Sequence, residues 1–560
     1  MEPGEREITV TEFSLMQVFG AVAEAVPARP ALVWRTQVST FGELARRAGG
    51  LATFLAVRGL GAGAASAEVP HWASAHDHVA IMARNRPEWI EAMLGCYRAR
   101  VVPFNVNYRY TVTELAEVLR LGRPRAIVFE ASYAPIVAVV ASSLPGDVTL
   151  LQVADESGND LLDGALEYES TVRAMSAAPC RLPASRPDDR YLLLTGGTTG
   201  RPKGVLWRQA DLYVAALQGF RKPGTPEIGS LAEVLARIPR EPRAMLPAPP
   251  LMHGSAQWAV LAALLSGQTV VLADTNTRFD AAEAVGLVER REVYQLVIGG
   301  DAFARPIIEA LRGSRGRMAC LRVITTGAVA LSSAAERQLR GLLPHVTIVD
   351  AAGASETGPQ MRRSAEAGGA RPGAFAAGDG TCVLAGDRSR PLPPDSREIG
   401  WLARTGRVPL GYLDEPDLTM ATFPVRDGVR YAIPGDRARY AEEGAIELLG
   451  RDAVVINTGG EKVFAEEVEE ALAGHPDVYD ALVVGCPHKR WGQEVVAVVA
   501  LRPRAQVSPD GLRTFLDGRL ARYKIPKRVV VVEAVTRSAA GKPDYGWALE
   551  QARAAAARWS

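Results

Sequence analysis

From about residue 79 the chain alternates short apolar runs with amphipathic stretches. The runs HVAIMARN, VVPFNVN, RAIVFE and VTLLQV predict strands, and PEWIEAMLGCYRAR, TVTELAEVLRLGR and SYAPIVAVVASSL predict helices between them. Such alternation belongs to a layered α/β architecture. It resumes after residue 245, where AVLAALLSG, TVVLA, DAAEAVGLVERR, YQLVIGG, FARPIIEALRG, CLRVITTGA, AERQLRGLLP and HVTIVDAAG predict a second wound α/β unit. Residues 359–449 change character: turn-rich Gly/Pro stretches separate the short strands TCVLAG, GWLARTG, GVRYAIPGD and AIELLG, a small β-rich section. After Gly450 come helix FAEEVEEALAGH, strands DALVVGCP and VVAVVALRP, helix DGLRTFLDGRLARY and strand RVVVVEAV, a compact α+β unit. The expected division is 1–450 and 451–560. Residues 59–76 and 221–242 read as loops or insertions.

A length of 560 residues supports the division, since single cores stop growing at roughly 250–300 residues. With 48% hydrophobic and 23% charged residues the composition is that of a globular protein. A net charge of +1 supplies no broad attraction to nucleic acid or anionic lipid. Five scattered cysteines form no metal spacing and point to a reducing compartment. The start lacks a basic segment followed by an apolar one, and the longest apolar run, Trp258 to Leu265, is far short of a membrane span. A cytoplasmic location is expected, with no integral membrane association. Seven lysines among 64 basic residues make each lysine informative.

The sharpest signal is YLLLTGGTTGRPKGV, an apolar strand followed by a loop holding Thr195, Gly196, Gly197, Thr198, Thr199, Gly200 and Lys203. Glycines let backbone amides converge on an anion, hydroxyls donate further hydrogen bonds and a lysine adds a point charge, so the string reads as a phosphate cradle. It is not a Walker loop, because Pro202 precedes Lys203 and Gly204 follows it.

TGGTTGRPKG resembles the phosphate loop of the adenylate-forming enzymes, which include acyl-CoA synthetases, peptide-synthetase adenylation domains and luciferases. DAAGASETG, YAIPGD, GRDAVVINTGGEKVFAEEVEEAL and SAAGKPDY resemble further segments of that family, in family order. The resemblance implies a large N-terminal domain of wound α/β subdomains and a small mobile α+β C-terminal domain. It implies a reaction in which a carboxylate attacks the α-phosphate of ATP, after which the small domain rotates and a thiol displaces AMP.

Residue by residue, the resemblance makes Lys542 the lysine that contacts the carboxylate and α-phosphate, and Glu356 the magnesium ligand, a hard oxygen donor. Ser355, standing where Thr is usual, still offers a hydroxyl to phosphate. Asp436 matches the aspartate that accepts from the ribose hydroxyls, and Arg451 an arginine near the ribose and hinge. Gly327, Ala328 and Gly353 fall in segments bordering the nucleotide. His253 fits a position beside the carboxylate, and Gly459 and Gly460 resemble the turn lining a pantetheine tunnel. The acyl pocket would lie among His253, Trp258, Gly299, Gly300, Phe303, Gly327 and Ala351, where small residues predominate and Trp258 and Phe303 stand as walls. Two departures matter: Ala352 occupies the place of the adenine-stacking aromatic, and the hinge pivot is Asp452 or Ala453.

The expected function is an ATP-dependent acyl-CoA synthetase using Mg²⁺ and coenzyme A on a bulky apolar carboxylic acid: a polycyclic terpenoid or steroid acid, or a long-chain fatty acid. The segment TGGTTGRPKGVLWRQAD resembles the actinobacterial synthetases for fatty and steroid side-chain acids. The alternatives are a ligase loading a carrier protein in trans and a non-catalytic relative that binds an acid or nucleotide. Partners are then a carboxylic acid and CoA, with a carrier protein and a second copy of the chain in a homodimer as further candidates, and no nucleic acid.

Overall fold

The computed structural model describes residues 12–63, 69–196, 202–274, 279–313, 318–327, 329, 331–365, 374–458, 461–488, 491–517 and 519–556. Contacts group the chain into two compact units interleaved along the sequence, one of residues 1–297, 354–359 and 405–432, the other of 298–353, 360–404 and 433–560. The expected division at residue 450 falls inside the second unit.

In the first unit, strands Val102–Asn105, His78–Met82, Pro124–Glu130, Thr149–Val153 and Leu166–Glu167 lie side by side, all parallel. Successive side chains of a strand point to opposite faces, and both faces here are covered. Val79, Ile81, Ala126 and Val128 join helix Pro87–Arg98 in one apolar cluster, while Ala80, Met82, Ile127 and Phe129 join helices Val112–Gly122 and Ala134–Ala141 in another. Burial on both faces is why these strands read as unbroken apolar runs. A second parallel set, Pro30–Trp34, Thr269–Leu272, Ala244–Pro247 and Val293–Ile298, carries Gln37–Thr40 antiparallel on its edge. A third element is the antiparallel hairpin Arg190–Gly196 with Pro202–Arg208, extended by the short strand Gly411–Tyr412.

The second unit opens with the parallel pair Val323–Gly327 and Thr347–Ala354 and the helices Asp301–Gly313 and Ser333–Leu342. The β-rich section is antiparallel, built on Thr381–Leu384, Gly400–Arg404, Asp436–Tyr440, Ile446–Arg451 and Ala374–Ala377 around Met361, Val383 and Leu402. From Val455 onward strands Val455–Thr458, Glu461–Phe464, Val478–His488, Gly492–Leu501 and Arg528–Val532 form a sheet of their own. One of its faces packs helices Ala465–Ala473 and Pro509–Leu516, the other helix Tyr545–Ala556.

Two local expectations need correction, and one helix was not anticipated. Residues 221–242 contain a helix, Leu231–Ala236, capped by the Ser230 hydroxyl. The stretch DGLRTFLDGRLARY is helical only as far as Leu516, because Asp517 turns to an extended conformation. Helix Leu15–Ala25 precedes the first strand read from the pattern, and its start is sealed by a reciprocal Ser14–Gln17 capping box.

Candidate active site

The hairpin register sets Lys203 opposite Thr195 and Pro202 opposite Gly196, so Lys203 stands at the mouth of the loop that joins the two strands. Gly197, Thr198, Thr199 and Gly200 of that loop lie outside the described residues, as do Ala328, Gly459 and Gly460. Tyr412 pairs with Val205 on the neighbouring strand, which brings its ring under the lysine, with the ammonium 5.6 Å from the ring centroid. The Tyr412 hydroxyl donates to Glu356 Oε1 at 2.6 Å. Lys203, Tyr412 and Glu356 therefore form one connected group in the first unit.

The turn presenting Glu356 is held from both ends. Thr357 is fully buried, its hydroxyl accepts from the Ala354 amide at 2.9 Å, and Gly358 follows at φ +67. Beneath, the buried Trp207 indole donates to the Ser355 carbonyl at 3.1 Å, tying this turn to the phosphate-loop hairpin. Because the turn is fixed by backbone and indole contacts, the Glu356 carboxylate is directed by the Tyr412 hydroxyl, which donates to one of its two oxygens.

His253 occupies the N-cap position of helix Gly254–Leu265. Gly254 packs closely on Leu193, and a Cβ there would lie 2.5 Å from a methyl of that side chain, which would have to shift. Asn105, buried at the end of its strand, donates to the carbonyls of Leu194 and Met252 at 2.9 and 2.7 Å and accepts from the Leu194 amide. That one side chain ties the His253 segment to the strand leading into the phosphate loop. Trp258 is buried in the core of this unit.

In the second unit Asp436 and Arg451 are cross-strand partners joined by an ion pair at 3.3 Å, and the adjacent Arg437 pairs with Asp452 at 2.8 Å. The two predicted ribose residues are thus brought together, and Asp452, one of the two hinge candidates, is engaged by a side chain. Asp452 and Ala453 open a short 3-10 turn. The Arg451 amide donates weakly to Glu466, whose carboxyl is raised above its ordinary range by burial. Ala352 packs at the edge of the β-rich core, as an aliphatic contact instead of a free ring.

Lys542 sits in a tight loop: the Ser538 amide donates to the Lys542 carbonyl at 2.9 Å, the Lys542 amide to the Ser538 hydroxyl at 3.1 Å, and Gly541 adopts φ +79. This loop presses on the predicted acyl-pocket segment. A Cβ on Gly299 would lie 2.8 Å from the Ala540 carbonyl oxygen, and one on Gly541 would lie 2.7 Å from the Gly299 oxygen. The smallness of Gly299 permits this backbone approach and the neighbouring Phe303 ring. Gly300, at φ +61, donates its amide to the Thr326 hydroxyl at 3.0 Å, and Gly327 lies against the Ala351 carbonyl.

The AMP-binding enzyme family matches residues 19–406, and its C-terminal domain matches residues 467–542. The chain belongs to the AMP-binding enzymes. A medium-chain acyl-CoA ligase, Mig, of Mycobacterium avium is 44% identical over 97% of this chain and 99% of its own length. A 3-oxocholest-4-en-26-oate–CoA ligase of Rhodococcus rhodochrous is 38% identical over 94% of each chain. Among solved structures, an anthranilate CoA ligase in complex with anthranoyl-AMP superposes with a TM-score of 0.80 at 19% identity, covering 98% of both chains, a likeness of fold.

Two members of this AMP-binding enzyme's candidate site went unread in the sequence. Asn105 stands between Phe104 and Val106 in the apolar run VVPFNVN, and a buried amide must find partners. Tyr412 stands in LGYLDEP with no periodic signal, and only the pairing of its two-residue strand reveals that it faces Glu356.

Proposed function

We propose that this AMP-binding enzyme is an acyl-CoA synthetase that joins a bulky apolar carboxylic acid to CoA through an acyl-adenylate. The observation that carries the reading is the 44% identity, over nearly the whole of both chains, with a medium-chain acyl-CoA ligase. The relative named for a steroid acid supports an apolar acid as substrate, either a medium- or long-chain fatty acid or a polycyclic acid of steroid or terpenoid type. In this reading residues 1–450 bind ATP and acid and residues 451–560 form the mobile domain. The family matches on either side of residue 450 and the separate apolar clusters beyond Val455 support that division.

The chemistry asks for cations, because a carboxylate approaching a triphosphate in a partly dry site is opposed by charge. Lys542 would meet the carboxylate and α-phosphate with its ammonium, and Lys203 would hold the distal phosphates from the mouth of its hairpin. Glu356, a carboxylate oriented by the Tyr412 hydroxyl, has the hard oxygen that Mg²⁺ takes alongside phosphates. Magnesium, when bound, neutralises part of the triphosphate charge. Asp436 would accept from the ribose hydroxyls, with its carboxylate aimed by the ion pair with Arg451. The Gly459–Gly460 turn would leave room for the pantetheine arm of CoA. All five cysteines are free, consistent with work in a reducing, cytoplasmic setting.

The test is to incubate the enzyme with ATP, magnesium and a panel of acetate, benzoate, octanoate, palmitate and a steroid side-chain acid, with and without CoA, and to detect products by mass. Acyl-AMP without CoA and acyl-CoA with it, ranked toward the apolar acids, is the expected result. Acyl-AMP that never passes to CoA would point to a carrier protein as acceptor. No adenylate from any acid would overturn the enzyme reading.

A further inference from the structure

Helix Asp301–Gly313 begins immediately after Gly299 and Gly300, and its first residue is a buried aspartate. Asp301 accepts from the Ser332 amide and hydroxyl at 2.8 and 2.7 Å and from Arg305, one turn on, at 2.6 Å. A third nitrogen of Arg305 reaches Asp480 at 3.1 Å. Asp480, 8% exposed, accepts two hydrogen bonds from Arg537 at 2.8 and 2.9 Å, and Arg537 donates in turn to the Gly541 carbonyl at 3.2 Å. An unbroken chain of charged contacts thus runs from the start of this helix to the residue before Lys542.

The arrangement has an unequal structure. Asp301–Arg305 lies within one helix, and Asp480–Arg537 lies within the C-terminal residues. Among the described residues, the Arg305–Asp480 contact is the salt bridge that joins these two pairs. Burial alone would raise the Asp480 carboxyl, yet the Arg537 hydrogen bonds and the charges of Arg537 and Arg305 outweigh it and hold it below its ordinary range. If that middle link opens, Arg305 keeps Asp301 and Asp480 keeps Arg537, so no charge is left buried without a partner. Breaking a buried ion pair is expensive chiefly because of the orphaned charge, and here that cost is avoided. Around the link, Arg305 lies over the Tyr479 ring at 5.5 Å, the Ser333 amide donates to Glu470 at 3.0 Å, and Gly541 and Gly299 meet backbone to backbone.

The geometry points to Arg305 as a positioning residue: its contact with Asp480 is a releasable latch that holds the Lys542 loop against Gly299 for the adenylation step and lets go for the thioester step. This rests on the two-step reading above. Specificity for one step follows, because the latch places Lys542 and takes no part once the small domain has moved.

The test is Arg305→Met, which keeps the length of the side chain and leaves Asp301 its two bonds from Ser332 and Asp480 its two from Arg537. Single-turnover acyl-AMP formation should fall about 20-fold, while CoA transfer from supplied acyl-AMP changes less than about twofold. In an Asp480→Asn background, adding Arg305→Met should cost less than a further factor of about two, because both changes remove one contact. Arg305→Lys, which cannot fork to both aspartates, should recover part of the rate. A separate readout needs no turnover: amide exchange over residues 538–543 should quicken about 10-fold in Arg305→Met relative to strand Gly400–Arg404 of the same unit, which reports any general loss of stability from Asp301 left without its arginine. Unchanged exchange in that loop, or equal losses in both half-reactions, overturns the latch. Absence of acyl-AMP from the wild-type enzyme together with the quickened exchange would sink the synthetase reading and leave the docking contact standing.

Discussion

Glu469, half-buried on helix Ala465–Ala473, has a carboxyl that burial pushes up to about 8. The nearby charge of Glu466 contributes to that rise, while the Val483 amide at 2.8 Å, the Arg537 charge and the Tyr545 hydroxyl at 3.3 Å act in the opposite direction without prevailing. In an unfolded chain the same carboxyl titrates near 4.5, so between these values the folded state holds a proton that the unfolded state has lost. The stability contributed by that proton is complete below the unfolded value and is lost as pH rises through the folded one. The slope approaches about 1.4 kcal/mol per pH unit, which amounts to about 2 kcal/mol between pH 6 and pH 8. Glu469→Gln keeps the shape, still accepts from Val483 and cannot ionise, and the Tyr545 hydroxyl can turn to accept from its amide. The wild-type C-terminal residues should therefore lose stability from pH 6 to 8 relative to the variant. Amide exchange of strand Val478–His488 under both conditions measures it, and the difference between the two proteins cancels contributions from other titrating groups. Parallel pH profiles for wild type and variant would refute the reasoning.

Lys542→Ala should reduce acyl-AMP formation by at least about 100-fold while sparing thioester formation from supplied acyl-AMP, and half-reaction assays separate the two. Tyr412→Phe removes the hydrogen bond that directs Glu356, so the magnesium concentration needed for half-maximal turnover should rise about 10-fold, and direct titration of Mg·ATP binding should show the same shift. Gly460→Leu should let acyl-AMP accumulate in the presence of CoA, seen by mass as a raised ratio of adenylate to thioester.

The strands of the first α/β unit were legible because parallel sheets covered on both faces show as continuous apolar runs, and Val79 and Ala80 are equally buried although they serve opposite clusters. Helix Leu15–Ala25 carried a capping box that a reading of apolar periodicity from residue 79 passed over. Membership of the AMP-binding enzymes was legible because the strings around the phosphate hairpin, Glu356, Asp436 and Lys542 are local ones. Tyr412 was not, since its role comes from a partner 56 residues away and from a two-residue strand.

The same contrast explains Arg305 and Gly299. An Asp and an Arg four residues apart on a helix ordinarily form a solvated pair that contributes a few tenths of a kcal/mol. What changes the meaning of Asp301 and Arg305 is burial together with Asp480, 175 residues further on, and sequence spacing contains neither fact. Gly299 reads as an open pocket wall if only its own segment is considered. With the Ala540 carbonyl 2.8 Å from where its Cβ would stand, it is a site of backbone contact with the loop that carries Lys542. A count of acid-pocket volume from the small residues of this segment has to allow for Gly299, whose missing side chain already accommodates the Ala540 carbonyl. The acid preference has to come from the remaining walls, which is why the substrate ranking is an experiment on the whole chain.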